Sequence, residues 1–489
     1  MLPDPRFIIS ALLLLGEGVA AIMLLILLSE RMAVFGLIIL GIKLLTAAVI
    51  LNSNDNPEYK APWLLILLFL PIGFIAYLIF YFPRLHPEDG LPSEVGLSAP
   101  MAESEEPPTD TARVIRAASF AGGYRSTEAE YLPSGRAAMQ RLIHDIGNAR
   151  EFIFLEYFII EEGEFLDAVI TALSKKTQHG VKVTVIYDDV GCMRRLPSKF
   201  KKQLSKIMVR LVAHFPIFPN KYSKFNNRTH RKIAVIDGRI GYVGGVNISD
   251  ECIGKWGRGV FKDSAVRIEG NAVNELSYLF LSNLCLNLGR GVCDFNSYYR
   301  YSPPSEAAGY TIPFGDGPRP IYKRRVSKSA ILTLIGEARR YLYITTPYLV
   351  MESDIFTALE NAVMRGVDVR IILPAIPDKR LVYLLTKSSS ERLIEGGVRV
   401  FLYLPGFIHS KIYLADGEAV ITGSMNLDYR SLAHNFENGI YFYKHPVIKE
   451  IEDDVRGVLA DCEQISKKEG LRPTQRLVSA LIKILAPLF

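Results

Sequence analysis

Two histidines, each followed two residues later by a lysine, are the residues of this 489-residue chain best placed by type and spacing to do chemistry: His230 with Lys232, and His409 with Lys411. Each pair opens the same pattern, H-x-K-x4-D-x6-G-[GS]-x-N, and the two copies stand 179 residues apart at every matched position. The matched positions are His230 and His409, Lys232 and Lys411, Asp237 and Asp416, Gly244 and Gly423, Asn247 and Asn426. The chain has only 8 histidines, so a chance match is a poor explanation and an internal repeat a good one. Two ammonium groups and two carboxamides can hold the equatorial oxygens of a phosphoryl group as charge builds on them. One imidazole can attack phosphorus and the other, protonated, can deliver a proton to the departing alkoxide. A reference pKa near 6.5 makes both forms accessible around neutrality. Each half thus supplies half of one site, with His230, Lys232, Asp237, His409, Lys411 and Asp416 as the catalytic template and Asn247 and Asn426 as phosphate ligands.

A histidine in either role needs a carboxylate on its far ring nitrogen to fix the tautomer. Asp263 and Glu437 follow Asn247 and Asn426, which predicts that Asp263 serves His230 and Glu437 serves His409. Asp237 and Asp416 each precede a glycine in the dipeptide favoured by two-residue hairpins, so a turn role is the preferred reading for them. A lone histidine on a strand is usually a core residue, and the duplication reverses that prior. A metal site is the sharper rival, with two His, an Asp and a Glu at hand. Lysine is a poor ligand, and its charge opposes a cation beside it, so no metal and no cofactor is expected.

The positioning elements follow from periodicity. Residues i and i+2 of a strand share a face, so each His projects beside its Lys. The apolar runs after Lys232 and Lys411 enter the Asp-Gly turns, and return strands follow at 239–243 and 418–422. Upstream, helical segments alternate with β-branched runs at 137–149, 152–160, 166–176 and 181–187, and again at 327–339, 341–348, 355–364 and 367–373. That alternation is the signature of a parallel α/β sheet, present twice.

The N-terminus is different. Residues 7–28, 33–51 and 63–82 are each near the roughly 20 residues that cross a bilayer core. They read as three permanent spans, with two remaining open because the 29–32 connection is tight. Glu17 and Lys43 fall inside the first two and could pair. Residues 85–112 hold seven acids, five prolines and no Lys or Arg, and read as a disordered tether. Without them the rest of the chain carries +13, against +6 for the whole, which suits an anionic membrane surface or a phosphate-bearing substrate. The division expected is 1–82 transmembrane, 83–112 linker, 113–300 first half, and 301–489 second half with an amphipathic C-terminal helix from Leu471. The run Arg194, Arg195, Lys199, Lys201, Lys202, Lys206 is either a headgroup contact or a solvated helix face. Five cysteines without CxxC spacing argue against a disulfide framework and favour catalytic halves on the cytoplasmic side.

The motifs HRKIAVIDGRIGYVGGVN and HSKIYLADGEAVITGSMN resemble the paired HKD motifs of the phospholipase D superfamily. Within it the chain is similar to bacterial cardiolipin synthases, through NPEYKAPWLLILLFLPIGFIAYLIFYF, LEYFII, YDDVG, TPYLV and SMNLDYRSLAHNFENG. The resemblance implies two α/β halves about a pseudo-twofold axis and no metal, while the apolar runs themselves imply a multi-pass membrane protein. It implies a phosphatidyl-histidine intermediate on His230, with His409 as general acid and Lys232, Lys411, Asn247 and Asn426 around the phosphate. The reaction implied moves a phosphatidyl group from one phosphatidylglycerol to another, releasing glycerol. Gly245 departs from the family's Ser and removes one hydroxyl contact from the first half alone. Nothing in the motif itself selects a lipid alcohol over water, so phospholipase D hydrolysis stays open. A nuclease would use the same motifs, and the apolar N-terminus argues against nucleic acid as the partner. A non-catalytic scaffold would be expected to have lost one His or Lys. The motifs leave the oligomeric state open.

Overall fold

The computed structural model describes residues 32–53, 57–80, 106–119, 121–125, 127–216, 227–288, 294–300, 309–319, 321–466 and 471–486. The chain divides into two compact units, one of residues 1–84 with 223–226 and 480–489, the other of residues 85–222 with 227–479.

In the N-terminal unit the expected span at 7–28 lies outside the described residues, as does Glu17. The second is present as the 21-residue helix Met32–Asn52, the one described helix long and apolar enough to cross a membrane. The third is not a single span. Pro71 cannot continue the i to i−4 ladder, and the chain breaks at 70–72 into helices Pro57–Phe69 and Gly73–Phe80. These fold back on each other, since Trp63 and Tyr77 meet edge-to-face at 5.5 Å although fourteen residues apart. Gly73 sits at the reversal, where a Cβ would lie 2.5 Å from the Ile66 carbonyl oxygen. Lys43 Nζ donates to Leu68 O at 3.4 Å, a carbonyl in the last turn before the break.

The larger unit holds two mixed sheets of matching order. In the first, Thr127–Leu132, Ala265–Gly270, Ile240–Gly244, Lys232–Ile236, Phe152–Tyr157, Lys182–Asp188 and Arg210–His214 lie side by side. In the second the order is Tyr310–Asp316, Glu437–Tyr443, Ala419–Gly423, Ile412–Ala415, Tyr341–Thr345, Asp368–Pro374 and Arg399–Tyr403, with Cys462–Gln464 added at the far edge. Strands are parallel only where a helix crosses over, as from Phe152–Tyr157 to Lys182–Asp188. The two H-x-K strands run antiparallel to both neighbours, to the return strand as the Asp-Gly hairpins imply and also to Phe152–Tyr157 and Tyr341–Thr345, so each sheet is mixed and not purely parallel.

Local sequence explains the crossover helices. Gly135–Asn148 is capped by Ser134, whose Oγ accepts from Ala137 N at 3.1 Å, and buries Ala138, Met139, Leu142 and Ile146. Glu164–Gln178 carries Glu164 and Asp167 in its first turn and Lys175 and Lys176 in its last, as the helix dipole prefers. One apolar core is common to both sheets, with Phe154, Ile233 and Val266 from the first and Tyr343, Leu414 and Phe442 from the second. The buried helix Val273–Leu288 contributes Leu276 and Phe280 to it.

The stretch read as a tether is structured at its end. Helix Asp110–Ser119 buries Ala112 and Ile115 in the core of the second half, and Asp110 N and Thr111 Oγ1 donate to the Glu337 carboxylate at 2.6 and 2.5 Å. Cys285 is disulfide-bonded while Cys192, Cys252 and Cys462 are free thiols, so cysteine usage alone does not indicate a reducing compartment. The C-terminal helix Pro473–Leu485 leaves Leu477, Val478, Leu481 and Ile484 exposed, an apolar stripe on a segment that also carries Arg476 and Lys483.

Candidate active site

Each H-x-K strand is preceded by a short crossing between halves. His230 N donates to Phe436 O at 2.8 Å, and Phe436 N to Arg228 O at 2.8 Å. In the other half His409 N donates to Lys262 O at 2.7 Å, and Gly406–Ile408 pairs in parallel with Val260–Lys262. Each histidine is therefore pinned to the residue immediately before the other half's carboxylate.

That crossing overturns the expected pairing of carboxylates. Glu437, not Asp263, meets His230 Nδ1, at 2.9 and 3.0 Å from its two oxygens. Asp263, not Glu437, meets His409 Nδ1, at 2.5 Å. Neighbourhood in sequence misled because the bridging strands carry each carboxylate across the junction. With Nδ1 occupied, the free nitrogen of each ring is Nε2.

The lysines turn back on their own motif, Lys232 Nζ donating to His230 O at 2.5 Å and Lys411 Nζ to His409 O. Asn438 ties the halves from the other side, its Oδ1 accepting from Lys232 N at 3.1 Å. Asn247 Oδ1 accepts from Ile159 N at 3.3 Å, and Asn426 Nδ2 donates to Asp428 at 3.1 Å with its Oδ1 buried and unpartnered, so both amides keep capacity for a ligand. His230 and His409 are 8 and 9% exposed, leaving only a narrow approach to the rings.

The electrostatics bind these groups into one cluster. Burial, then Lys232, Lys411 and His409, hold the His230 pKa well below its usual value. Burial and Lys411 lower that of His409, while Asp263 raises it. Burial drives Lys232 down to about 7 and Lys411 to about 8. The carboxylates diverge. Burial pushes Glu437 up to about 7, whereas the charges of His409 and Lys411 outweigh burial and hold Asp263 below the usual carboxylate range. An ionised Asp263 favours a proton on His409, and the weaker acid Glu437 leaves His230 the more readily neutral partner. Two ammonium groups among the histidines make a cation an unfavourable occupant.

Asp237 and Asp416 do not reach the cluster. Asp237 sits at φ +54 before Gly238 at +68, the backbone of a type I′ turn, and accepts from the N–H groups of Arg150, Glu151 and Phe152 at 2.7, 2.8 and 2.9 Å. Asp416 repeats this at φ +57 with Arg339, Arg340 and Tyr341 at 2.8, 2.7 and 2.9 Å. Both clamp a neighbouring strand at the end remote from the histidine, which corrects their placement in the catalytic template.

The Gly245 departure has a spatial reason. A Cβ there would lie 2.2 Å from Asp263 Oδ1, so the carboxylate occupies the place of a side chain. At the matching position Ser424 Oγ donates to Glu437 Oε2.

Several contributors escape sequence reading. Asn435 Nδ2 donates to Glu437 Oε1 at 3.2 Å. Arg231, the middle residue of the first H-x-K, is buried and donates to Glu437 O at 3.1 Å and Tyr322 OH at 2.7 Å. Buried Glu156, on the neighbouring strand, accepts from Thr229 Oγ1 and from Asn283 Nδ2 at 2.7 Å. Phe261 and Phe407 flank His409, and each stands two residues before a site residue, the one signal that could have flagged them. Of the basic run, Arg195 pairs with Glu161 and Glu251 and Lys199 with Glu162, so these two charges are paired within the first half at its surface.

Comparison with known proteins finds relatives along most of the chain. The family model described as cardiolipin synthase, PLD-like domain, matches residues 142–257 and 331–458, and that described as phospholipase D-nuclease N-terminal matches 42–80. A protein named cardiolipin synthase 2 from Bacillus cereus is 30% identical over 465 residues, 91% of this chain and 89% of that one. One named cardiolipin synthase from Geobacillus kaustophilus is 30% identical over 467 residues, 90% of this chain and 91% of that one. Among solved structures, phosphatidylserine synthase of Haemophilus influenzae superposes with TM-score 0.60 at 17% identity, over 77% of this chain and 97% of that one, a likeness of fold.

Proposed function

Since the chain belongs to the phospholipase D-like cardiolipin synthase family, we propose that it is a membrane-associated phosphatidyltransferase that joins two phosphatidylglycerols into cardiolipin and releases glycerol. The observation that carries this reading is the pair of buried histidines, each held at Nδ1 by the other half's carboxylate and both flanked by Lys232 and Lys411. His230 Nε2 attacks phosphorus, the bond from phosphorus to the glycerol headgroup breaks, and His409 gives its proton to the departing hydroxyl. The lysines, with Asn247 and Asn426, neutralise the equatorial oxygens. In the second half-reaction the hydroxyl of another phosphatidylglycerol attacks, its proton returns to His409, and the bond from phosphorus to nitrogen breaks. One phosphodiester replaces another, so no nucleotide is consumed. The divergent carboxylates support the assignment, ionised Asp263 favouring a proton on His409.

The helix Met32–Asn52 supports membrane attachment, and we place the N-terminal unit in the bilayer as a multi-pass anchor with the larger unit on the cytoplasmic face. Labelling of Cys462 by an impermeant thiol reagent in intact cells would overturn that side. The activity is tested with full-length protein in liposomes of headgroup-labelled phosphatidylglycerol plus chelator. Cardiolipin and free glycerol are expected. Phosphatidic acid alone would assign water as acceptor and make the protein a phospholipase D.

A further inference from the structure

Beside His409 the site is walled with aromatic carbon. The Phe261 ring lies 5.0 Å from the imidazole, and Phe407 stacks on it at 5.9 Å and 28°. Trp256 closes the group, 5.6 Å from Phe407 and 6.0 Å from Phe261. Trp256 and Phe261 belong to the first half but serve the second half's histidine. The segment that carries them crosses over through Gly254, Gly257 and Gly259, all at positive φ. A Cβ on Gly259 would lie 2.5 Å from Pro405 O, so the crossing needs glycine there. Val260 N donates to Pro405 O at 2.9 Å and Arg258 donates to Pro377 O at 3.3 Å, which pin the segment to the other half. The exposed Arg258 guanidinium lies 4.4 Å above the Trp256 ring, leaving a cation at the rim of the wall.

Beside His230 the aromatic surface is smaller, the Phe158 ring alone among the described residues lying 5.0 Å from the imidazole. The residue two before Glu437 is Asn435, where Phe261 stands two before Asp263, and the residue two before His230 is Arg228, where Phe407 stands two before His409. Asn435 reaches Glu437, and Arg228 is consumed by Asp188 at 2.9 Å. His409 thus has the more extensive aromatic surroundings, three clustered rings against one at His230 among the described residues.

We infer that the partly exposed Trp256 and Phe261 rings, backed by the buried Phe407 and with Arg258 at their rim, are the acceptor subsite, taking a lipid alcohol that carries an anionic phosphodiester and disfavouring water. The inference rests on His409 being the group that takes the acceptor's proton. As the acceptor oxygen bonds to phosphorus and the bond from phosphorus to His230 breaks, that proton passes to His409 Nε2, whichever acceptor is present. The wall decides the acceptor by what it packs against. A glycerol backbone buries the aromatic surface, whereas water leaves it wet, and Arg258 adds a partner for the acceptor's own phosphate.

The test is the ratio of cardiolipin to phosphatidic acid formed by full-length protein in phosphatidylglycerol liposomes. In Trp256→Ala that ratio should fall about tenfold, the scale of discrimination a hydrophobic subsite supplies. Trp256→Phe should restore most of it, and Arg258→Gln, an exposed change, should lower it several-fold even where Trp256→Ala does not fold. A ratio unchanged in Arg258→Gln and in folded Trp256→Ala, with both products falling together, would overturn the inference. Wild-type protein that makes no cardiolipin would instead overturn the function proposed above.

Discussion

The two histidines stand in matching places of matching sheets, yet their surroundings differ. His230 lies against Glu437, itself held by Ser424 and Asn435, with the buried polar residues Arg231 and Thr229 on either side in sequence and one ring, Phe158, 5.0 Å away. His409 lies against Asp263, one methylene shorter, backed by Gly245 and enclosed by Phe261 and Phe407. The duplicated template sets where the rings are, and the residues around them set what each ring does. A longer carboxylate whose acidity burial has weakened suits a histidine that must be neutral to attack. A shorter carboxylate kept ionised suits a histidine that must hold and return a proton.

The largest test removes either ring. His230→Ala and His409→Ala should each cost at least about a thousandfold in cardiolipin formation, the scale seen when one member of a catalytic set is deleted. Near-wild-type turnover in either variant would break the equivalence of the two positions.

The carboxylates sharpen the contrast. Asp263→Asn should cost roughly a hundredfold or more, and Glu437→Gln about tenfold, because only the first removes a charge that supports imidazolium. The pH profile separates them further. Asp263 raises the His409 pKa, so its loss means that the proton leaves His409 at lower pH, and the alkaline limb should move toward acid in Asp263→Asn. An unmoved limb would contradict the role given to His409.

Gly245→Ser would make the first motif resemble the second. The structure has Asp263 Oδ1 where that Cβ must go, so the change should displace the carboxylate and lower activity about tenfold or more. A neutral or activating effect would mean that the halves differ less than their geometry says.

The smallest effect concerns the lysines. Their buried ammonium groups lose protons as pH rises through about 7 for Lys232 and about 8 for Lys411. Inorganic phosphate should therefore bind more weakly as pH rises from about 6 to about 9, which calorimetry would follow. Affinity that held constant across that range would leave no place for the lysines as phosphate ligands.

Much of the site was legible in the sequence because repetition carries position as well as type. One offset of 179 identifies His230, His409, the lysines and the asparagines without any structure. The hairpin role of Asp237 and Asp416 was likewise legible from the Asp-Gly dipeptide, and their three backbone contacts each account for their presence in the template. The exchange of Asp263 and Glu437 was not legible, because it depends on Gly406–Ile408 pairing with Val260–Lys262, a contact that no local pattern encodes. The fold-back of the third apolar run was hidden for another reason. Hydropathy counts apolar residues and ignores Pro71, which ends the helix. Trp256 carries no signal in the sequence, because only the crossing brings it to His409's neighbours.

The central claim is the division of labour between the two rings, and trapping the intermediate tests it most directly. A phosphorus–nitrogen bond to imidazole survives alkali better than acid, so full-length protein mixed with phosphatidylglycerol and quenched in base should retain the adduct for peptide mass analysis. The account predicts a phosphatidyl group on His230 and none on His409. An adduct on His409, or on both rings equally, would contradict it.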